Sequence, residues 1–185
     1  MSDLAKIRLL VCDVDGVLTD GRIILDSTGA ETKQFHVRDG SGLKYWRRAG
    51  RQAAFLSGRE SPVVLRRAAE LGVRLVEQGA KDKLPALRRL LKAARCTAQE
   101  TAYIGDDLPD LPIFWRVGFR AAVADAVAEV REAADYVTRA AGGRGAVREV
   151  VELILKAQGR WPRILARYCP RGRAGKRRQV GTQKG

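Results

Sequence analysis

RLLVCDVDGVLTDG, Arg8 to Gly21, runs a row of apolar residues into two carboxylates one residue apart and then into glycine. Ile7, Leu9, Leu10, Val11 and Cys12 form a nearly continuous apolar run, the pattern of a strand buried on both faces of a parallel sheet. In open α/β sheets, ligands bind beyond such strand ends. Residues two apart on an extended chain point to the same side, so Asp13 and Asp15 can face one bound phosphate or metal. Taken alone, Asp-x-Asp-Gly also suits a calcium loop or an ordinary turn, and the rest of the chain has to decide.

Outward from this stretch, strand-like runs recur at KIRLLVCD, RQAAFLS, VRLVEQ, TAYIGD, FRAAVA and DYVT, alternating with helical patterns. That alternation predicts a parallel sheet with helices on its faces, a Rossmann-like α/β domain. SPVVLRRAAELG predicts a helix with Ser61 as N-cap, Pro62 at its first position and Gly72 as its stop. Leu84, Leu87, Leu90 and Leu91 recur at helical spacing and predict a core-facing helix. GAVREVVELILKAQG supplies another, and a shorter helix is expected from Ser41 to Ala49. Between Gly21 and Val37, two short alternating runs around STGA predict a hairpin attached directly after the double-aspartate loop, with His36 in its second run.

The 185 residues fit one domain, long enough to bury roughly 70% of the surface the unfolded chain exposes. Cys12, Cys96 and Cys169 are odd in number and widely spaced, which suggests reduced thiols rather than a disulfide framework or a zinc site. With no signal-like N-terminus and no long apolar run, a soluble cytoplasmic protein without membrane contact is expected. The net charge of +14 divides unevenly: Lys156 to Gly185 holds ten basic residues and no acidic one, leaving 25 basic against 21 acidic side chains before it. Residues 160–185 are punctuated by Pro and Gly and read as a flexible basic tail after a domain over residues 1–159.

Three further groups fall at expected strand ends: Ser57, followed by Gly58 and Arg59; Lys83, opening a helix; and Asp106, Asp107 and Asp110 in GDDLPD. Each alone has an ordinary reading as a turn, a solvated lysine or a helix cap. Together they have one chemical meaning. Phosphate monoesters hydrolyse so slowly unaided that accelerations approach ~10²¹. A carboxylate can attack phosphorus and split the displacement into two steps. A second carboxylate two residues on can protonate the leaving oxygen. Mg²⁺ on oxygen ligands, with a lysine and a hydroxyl on the phosphoryl oxygens, offsets the repulsion between phosphate and acids.

DVDGVLTDG, Ser57, Lys83 and GDDLPD resemble the four signature motifs of the haloacid dehalogenase superfamily of phosphohydrolases. Within it, the hairpin, FHVRDGSGL, VADA and ADYVTRAAGGRGAVREVVELIL are similar to the branch acting on 3-deoxy-D-manno-octulosonate 8-phosphate in lipopolysaccharide sugar synthesis. The resemblance spans about Lys6 to Gly159. It implies Asp13 as nucleophile and Asp15 as general acid/base. It also implies Mg²⁺ on the Asp13 carboxylate, the Asp15 carbonyl and Asp106. Ser57, with Gly58 and Arg59, and Lys83 would hold the phosphoryl group, and Asp107 and Asp110 would orient the metal shell and the lysine. GGRG, Gly142 to Gly145, reads equally as a phosphate nest or a helix lead-in, with the resemblance placing Arg144 on a substrate carboxylate. His36 has two readings, a substrate contact or a satisfied strand residue.

The expected function is therefore Mg²⁺-dependent hydrolysis of a phosphorylated keto-sugar acid, with a nonulosonate 9-phosphate as the nearest alternative substrate. A nucleic-acid-binding protein on an inactive phosphatase scaffold is a second alternative; pure binding would need no nucleophile. Asp15 and Ser57 are separated by 41 residues and Ser57 and Lys83 by 25, too few for the cap domain usual in the superfamily. A homotetramer in which neighbouring subunits cover the sites is expected to take the place of that cap, with Ile23, Ile24, Leu25 and Phe35 of the hairpin available for the contact.

Overall fold

A computed structural model describes residues 3–169. Its centre is β1, Leu9–Cys12, buried at all four positions as its unbroken apolar run requires. The chain then makes the two-stranded antiparallel hairpin of β2 (Ile24–Leu25) and β3 (Glu31–Thr32). It re-enters the domain through α1 (Val37–Arg48), β4 (Gln52–Leu56), α2 (Pro62–Leu71), β5 (Leu75–Glu77) and α3 (Lys83–Ala94). After β6 (Thr101–Gly105) come α4 (Leu111–Phe114), β7 (Phe119–Ala122), α5 (Ala128–Ala133), β8 (Tyr136–Val137), α6 (Ala146–Ala157) and α7 (Trp161–Leu165).

Six strands form one sheet in the order β5-β4-β1-β6-β7-β8, every pairing parallel. The chain builds outward from β1 through β4 to β5, then crosses back to lay β6 on the other side of β1. This reversal of winding opens a crevice beyond the carboxyl ends of β1, β4 and β6, the place where ligands bind in such sheets. In one helical layer α1 packs on α2 and α6, with α7 on α6; in the other α3, α4 and α5 pack in sequence. The fold carries no cap: residues 16–56 lead into the hairpin, α1 and β4, and residues 58–82 into α2 and β5.

Two expectations need correction. The helix placed at Ser41 begins at Val37, so His36 is the N-cap of α1 rather than a hairpin residue. Gly40 and Gly42 argue against helix by propensity, but tertiary packing overrides it. A Cβ on Gly42 would meet the Cα of Arg148 at 3.0 Å, so the missing side chain is what lets α1 approach α6. The nearby Asp39 carboxylate, buried, accepts from the backbone N–H groups of Gly145 (3.1 Å) and Arg148 (2.8 Å), capping α6 from another helix.

The tail expected from residue 160 is ordered over its first part. α7 buries Ile164, and Tyr45 stands edge-on to both Trp161 and Tyr168 at centroid distances of 6.0 and 5.8 Å. The Arg148 guanidinium lies 4.6 Å from the Tyr45 ring centre. These contacts hold a five-residue helix that has little stability of its own. Residues 170–185 lie outside the described residues.

Candidate active site

Asp13 follows β1 directly, only 7% exposed. One of its oxygens accepts from the Val14 backbone N–H at 2.7 Å, and the other faces the Lys83 ammonium at 2.8 Å. Lys83 is the first residue of α3, whose N-cap Asp82 accepts from the Leu84 N–H at 3.0 Å and fixes the start of the helix. The same ammonium lies 2.6 Å from Asp110 Oδ1 and 3.4 Å from the Tyr103 hydroxyl, which donates to that Asp110 oxygen at 2.6 Å. The other Asp110 oxygen accepts the backbone N–H groups of Asp106 (2.9 Å) and Asp107 (3.3 Å). Asp110 therefore has both oxygens engaged, one by the lysine and the Tyr103 hydroxyl and the other by the loop after β6.

Asp106 completes the group. Carboxylate oxygens of Asp13, Asp106 and Asp110 lie within 4.8 Å of one another. Asp106 Oδ1 is buried with no hydrogen-bond partner, a costly arrangement for an ionised carboxylate. The approach of Asp106 is made possible by Gly16, where φ is +92° and a Cβ would fall 2.0 Å from Asp106 Oδ2.

The electrostatics of these three acids are unbalanced. Burial, then repulsion from Asp110, pushes Asp13 up to about 7 despite Lys83. Burial, then repulsion from Asp13 and Asp110, pushes Asp106 up to about 8. Burial alone would lower the Lys83 ammonium, but Asp13 and Asp110 outweigh it and raise it above its ordinary value. One ammonium among three carboxylates leaves room for a further cation. The free oxygen of Asp106 and the hard oxygen donor set fit Mg²⁺.

Asp15 and Ser57 meet each other: the Ser57 hydroxyl donates to Asp15 Oδ2 at 3.3 Å, and its oxygen accepts the Arg59 N–H at 3.1 Å. The Asp15 carboxylate pairs with Lys33, just after the second hairpin strand, and is not among the three carboxylates that cluster within 4.8 Å. Gly58 and Arg59 are exposed on the loop after β4, Arg59 reaching Glu31 at 3.0 Å. Asp107 is exposed and accepts the Leu108 N–H at 2.8 Å, the arrangement of a helix cap. Gly142 and Gly143 lie on the double-aspartate loop, where Gly143 N–H donates to Val17 O at 2.9 Å and Gly142 N–H to Asp125 at 2.8 Å. Arg144, exposed, sits 3.6 Å from Asp20. His36 stands 3.9 Å from Asp39, its Nδ1 without a hydrogen bond.

Sequence reasoning passed over Lys33, Tyr103 and Asp39. Tyr103 reads as core within an apolar strand, and only its position two residues before the strand end hints that its hydroxyl reaches the site. Lys33 and Glu31 share one face of the hairpin by their spacing of two, a signal that charge on a short strand disguises as a solvated surface.

Residues 73–150 match the family model described as haloacid dehalogenase-like hydrolase. A 3-deoxy-D-manno-octulosonate 8-phosphate phosphatase of Haemophilus influenzae is 49% identical over 85% of this chain and 87% of its own length. That of Escherichia coli K12 is 47% identical over 84% of this chain and 82% of its own. The structure of the Moraxella catarrhalis phosphatase of that name, in complex with a magnesium ion, a phosphate ion and a KDO molecule, aligns with a TM-score of 0.87 at 46% identity, covering 90% of this chain and 96% of that one. The corresponding Yersinia pestis structure aligns at 0.85 and 46%, covering 86% of each chain.

Proposed function

The chain belongs to the haloacid dehalogenase-like hydrolases, and from that membership we propose that it is a Mg²⁺-dependent phosphomonoesterase hydrolysing 3-deoxy-D-manno-octulosonate 8-phosphate to the free sugar acid and phosphate. The observation that carries the reading is the group at the end of β1: Asp13 held by a buried lysine, beside an Asp106 oxygen that lacks a partner.

In this mechanism an Asp13 oxygen attacks phosphorus and the ester P–O bond breaks. The departing sugar oxygen takes a proton from Asp15. Water then attacks the aspartyl-phosphate, giving its proton to Asp15 and releasing phosphate and free Asp13. Lys83 and the Ser57 hydroxyl, with Gly58 and Arg59 beside it, hold the phosphoryl oxygens. Asp110 and Tyr103 keep Lys83 in place, Asp107 fixes the loop that presents Asp106, and Arg144 is the side chain assigned to the substrate carboxylate. Mg²⁺, held by the Asp13 carboxylate, the Asp15 carbonyl and Asp106, supplies positive charge against the phosphoryl oxygens.

Phosphate release from a panel of sugar phosphates tests the reading. The octulosonate 8-phosphate should be hydrolysed at least about tenfold more efficiently than a nonulosonate 9-phosphate or hexose phosphates, and only with Mg²⁺ present. Equal rates across the panel would overturn the substrate assignment, and release unaffected by chelation would overturn the metal.

We infer in addition that the working form is a homotetramer joined through the hairpins. Ile23 and Leu25 are 57% and 60% exposed, large apolar side chains on a projecting element. A strand-end site without a cap is open to water, which weakens the electrostatic terms that phosphoryl transfer depends on. Light scattering should give four chains, and Leu25→Asp should lower both the mass and the activity. A fully active monomer at assay concentration would sink this idea. Among the described residues, no helix is long and apolar enough to cross a membrane.

A further inference from the structure

Lys33 carries the hairpin into the catalytic machinery. Its side chain is 1% exposed, and its ammonium pairs with the Asp15 carboxylate and with Glu31 at 3.3 Å. Burying an ammonium is costly unless it is fully paired, so a lysine kept in this place has a specific task. Glu31 in turn pairs with Arg59 at 3.0 Å, the Arg59 N–H bonds the Ser57 oxygen at 3.1 Å, and the Ser57 hydroxyl returns to Asp15 at 3.3 Å. The five residues form a closed ring of polar contacts joining the loops after β1 and β4 to the hairpin.

In that ring Asp15 has two side-chain partners, one on each oxygen. The Ser57 contact is long, and Ser57 is the hydroxyl assigned to the phosphoryl group. If Ser57 serves the phosphoryl group as proposed above, Lys33 is the side chain left to hold the acid. We propose that Lys33 is a positioning residue of the phosphatase reaction: it fixes the Asp15 carboxyl against the ester oxygen, so that protonation of the leaving group depends on the hairpin being seated. This rests on the phosphomonoesterase reading above. Its ammonium is engaged by the Asp15 and Glu31 carboxylates, so the role assigned to it runs through Asp15 and not through direct contact with substrate.

A leaving-group comparison tests the role. Alkyl phosphates release a poor leaving group that must be protonated, whereas p-nitrophenyl phosphate releases a phenolate that departs without a proton. In Lys33→Met, kcat for the best sugar phosphate should fall about 10²-fold, within the usual contribution of general acid catalysis, with KM changed less than about threefold. The p-nitrophenyl phosphate rate should fall less than about tenfold. Glu31→Gln, which leaves the Lys33 contact to Asp15, should lower both rates by a similar, smaller factor. If Lys33→Met fails to fold by circular dichroism, Lys33→Gln takes its place and should show the same divergence between substrates. An equal loss on both substrates, or a loss carried in KM, overturns the positioning role while wild-type activity upholds the reaction. A wild-type protein inactive on both substrates overturns the reaction and this inference with it.

Discussion

Asp13→Asn should abolish phosphate release, by on the order of 10⁴-fold or more as for other covalent nucleophiles, while the protein becomes no less stable. The two halves of this expectation come from one fact. Asp13 is nearly buried, and its pKa is pushed up to about 7 because burial and the neighbouring Asp110 penalise its charge. At pH 8 that charge opposes folding, so the neutral amide relieves the penalty even though it loses the contact with Lys83, which keeps Asp110 as partner. The measurement is phosphate release alongside a thermal melt. Substantial turnover by the purified variant would remove the covalent mechanism, and a Tm well below that of the wild type would remove the account of a charge kept for function at a cost in stability.

Metal-free protein should lose stability as pH rises from about 4 to about 8, and Mg²⁺ should restore it. The ordinary value for both Asp13 and Asp106 is 3.8, and the folded protein pushes them up to about 7 and about 8. A carboxyl whose pKa is raised on folding holds its proton more tightly in the native state. Below about 4 both states are protonated and nothing is lost; through the window between the two values the native state resists ionisation and stability falls; above it the loss is complete. Each pKa unit corresponds to about 1.4 kcal/mol, and each kcal/mol to about 2–4 °C in Tm for a chain of this size. Mg²⁺ binds the ionised form, so it should raise Tm by several degrees at pH 8 and hardly at all at pH 5. Asp106→Asn should flatten the pH dependence and blunt the Mg²⁺ effect. An equal Mg²⁺ shift at both pH values, or an unchanged profile in Asp106→Asn, would show that these acids do not form the cation site.

The parts of this molecule that were legible in advance share a physical cause. The central strands were readable because burial on both faces demands apolar runs, and the runs around β1, β4 and β6 end in residues that a packed interior does not need. The acids of the site stand out for that reason: Asp13, Asp106 and Asp110 follow strands that are otherwise apolar. What escaped is what depends on distant neighbours. The start of α1 could not be read because Gly40 argues against a helix until its missing side chain is seen to make room for Arg67 and Leu71 of α2. The order of residues 160–169 depends on Tyr45, more than a hundred positions away. Asp39 resembles any acid in a first helical turn, and its use as a cap for α6 is visible only when the two helices meet. Lys33 is the clearest case, since a lysine just after a two-residue strand reads as solvated until its pairing with Asp15 is seen.

The excursion between Gly21 and His36 leaves after β1 and returns at α1 without entering any strand pairing of the main sheet, whose register against β1 is set by Leu9 to Cys12 alone. It can therefore diverge between lineages with little effect on folding. Substitutions at its exposed positions, Ile23, Leu25, Thr32 or Gln34, are expected to alter which sugar is accepted or which partner is met, while Glu31 and Lys33 make the contacts that reach Asp15 and Arg59. Inheritance of the chemistry and adaptation of the selectivity are thus assigned to different residues of the same short ribbon.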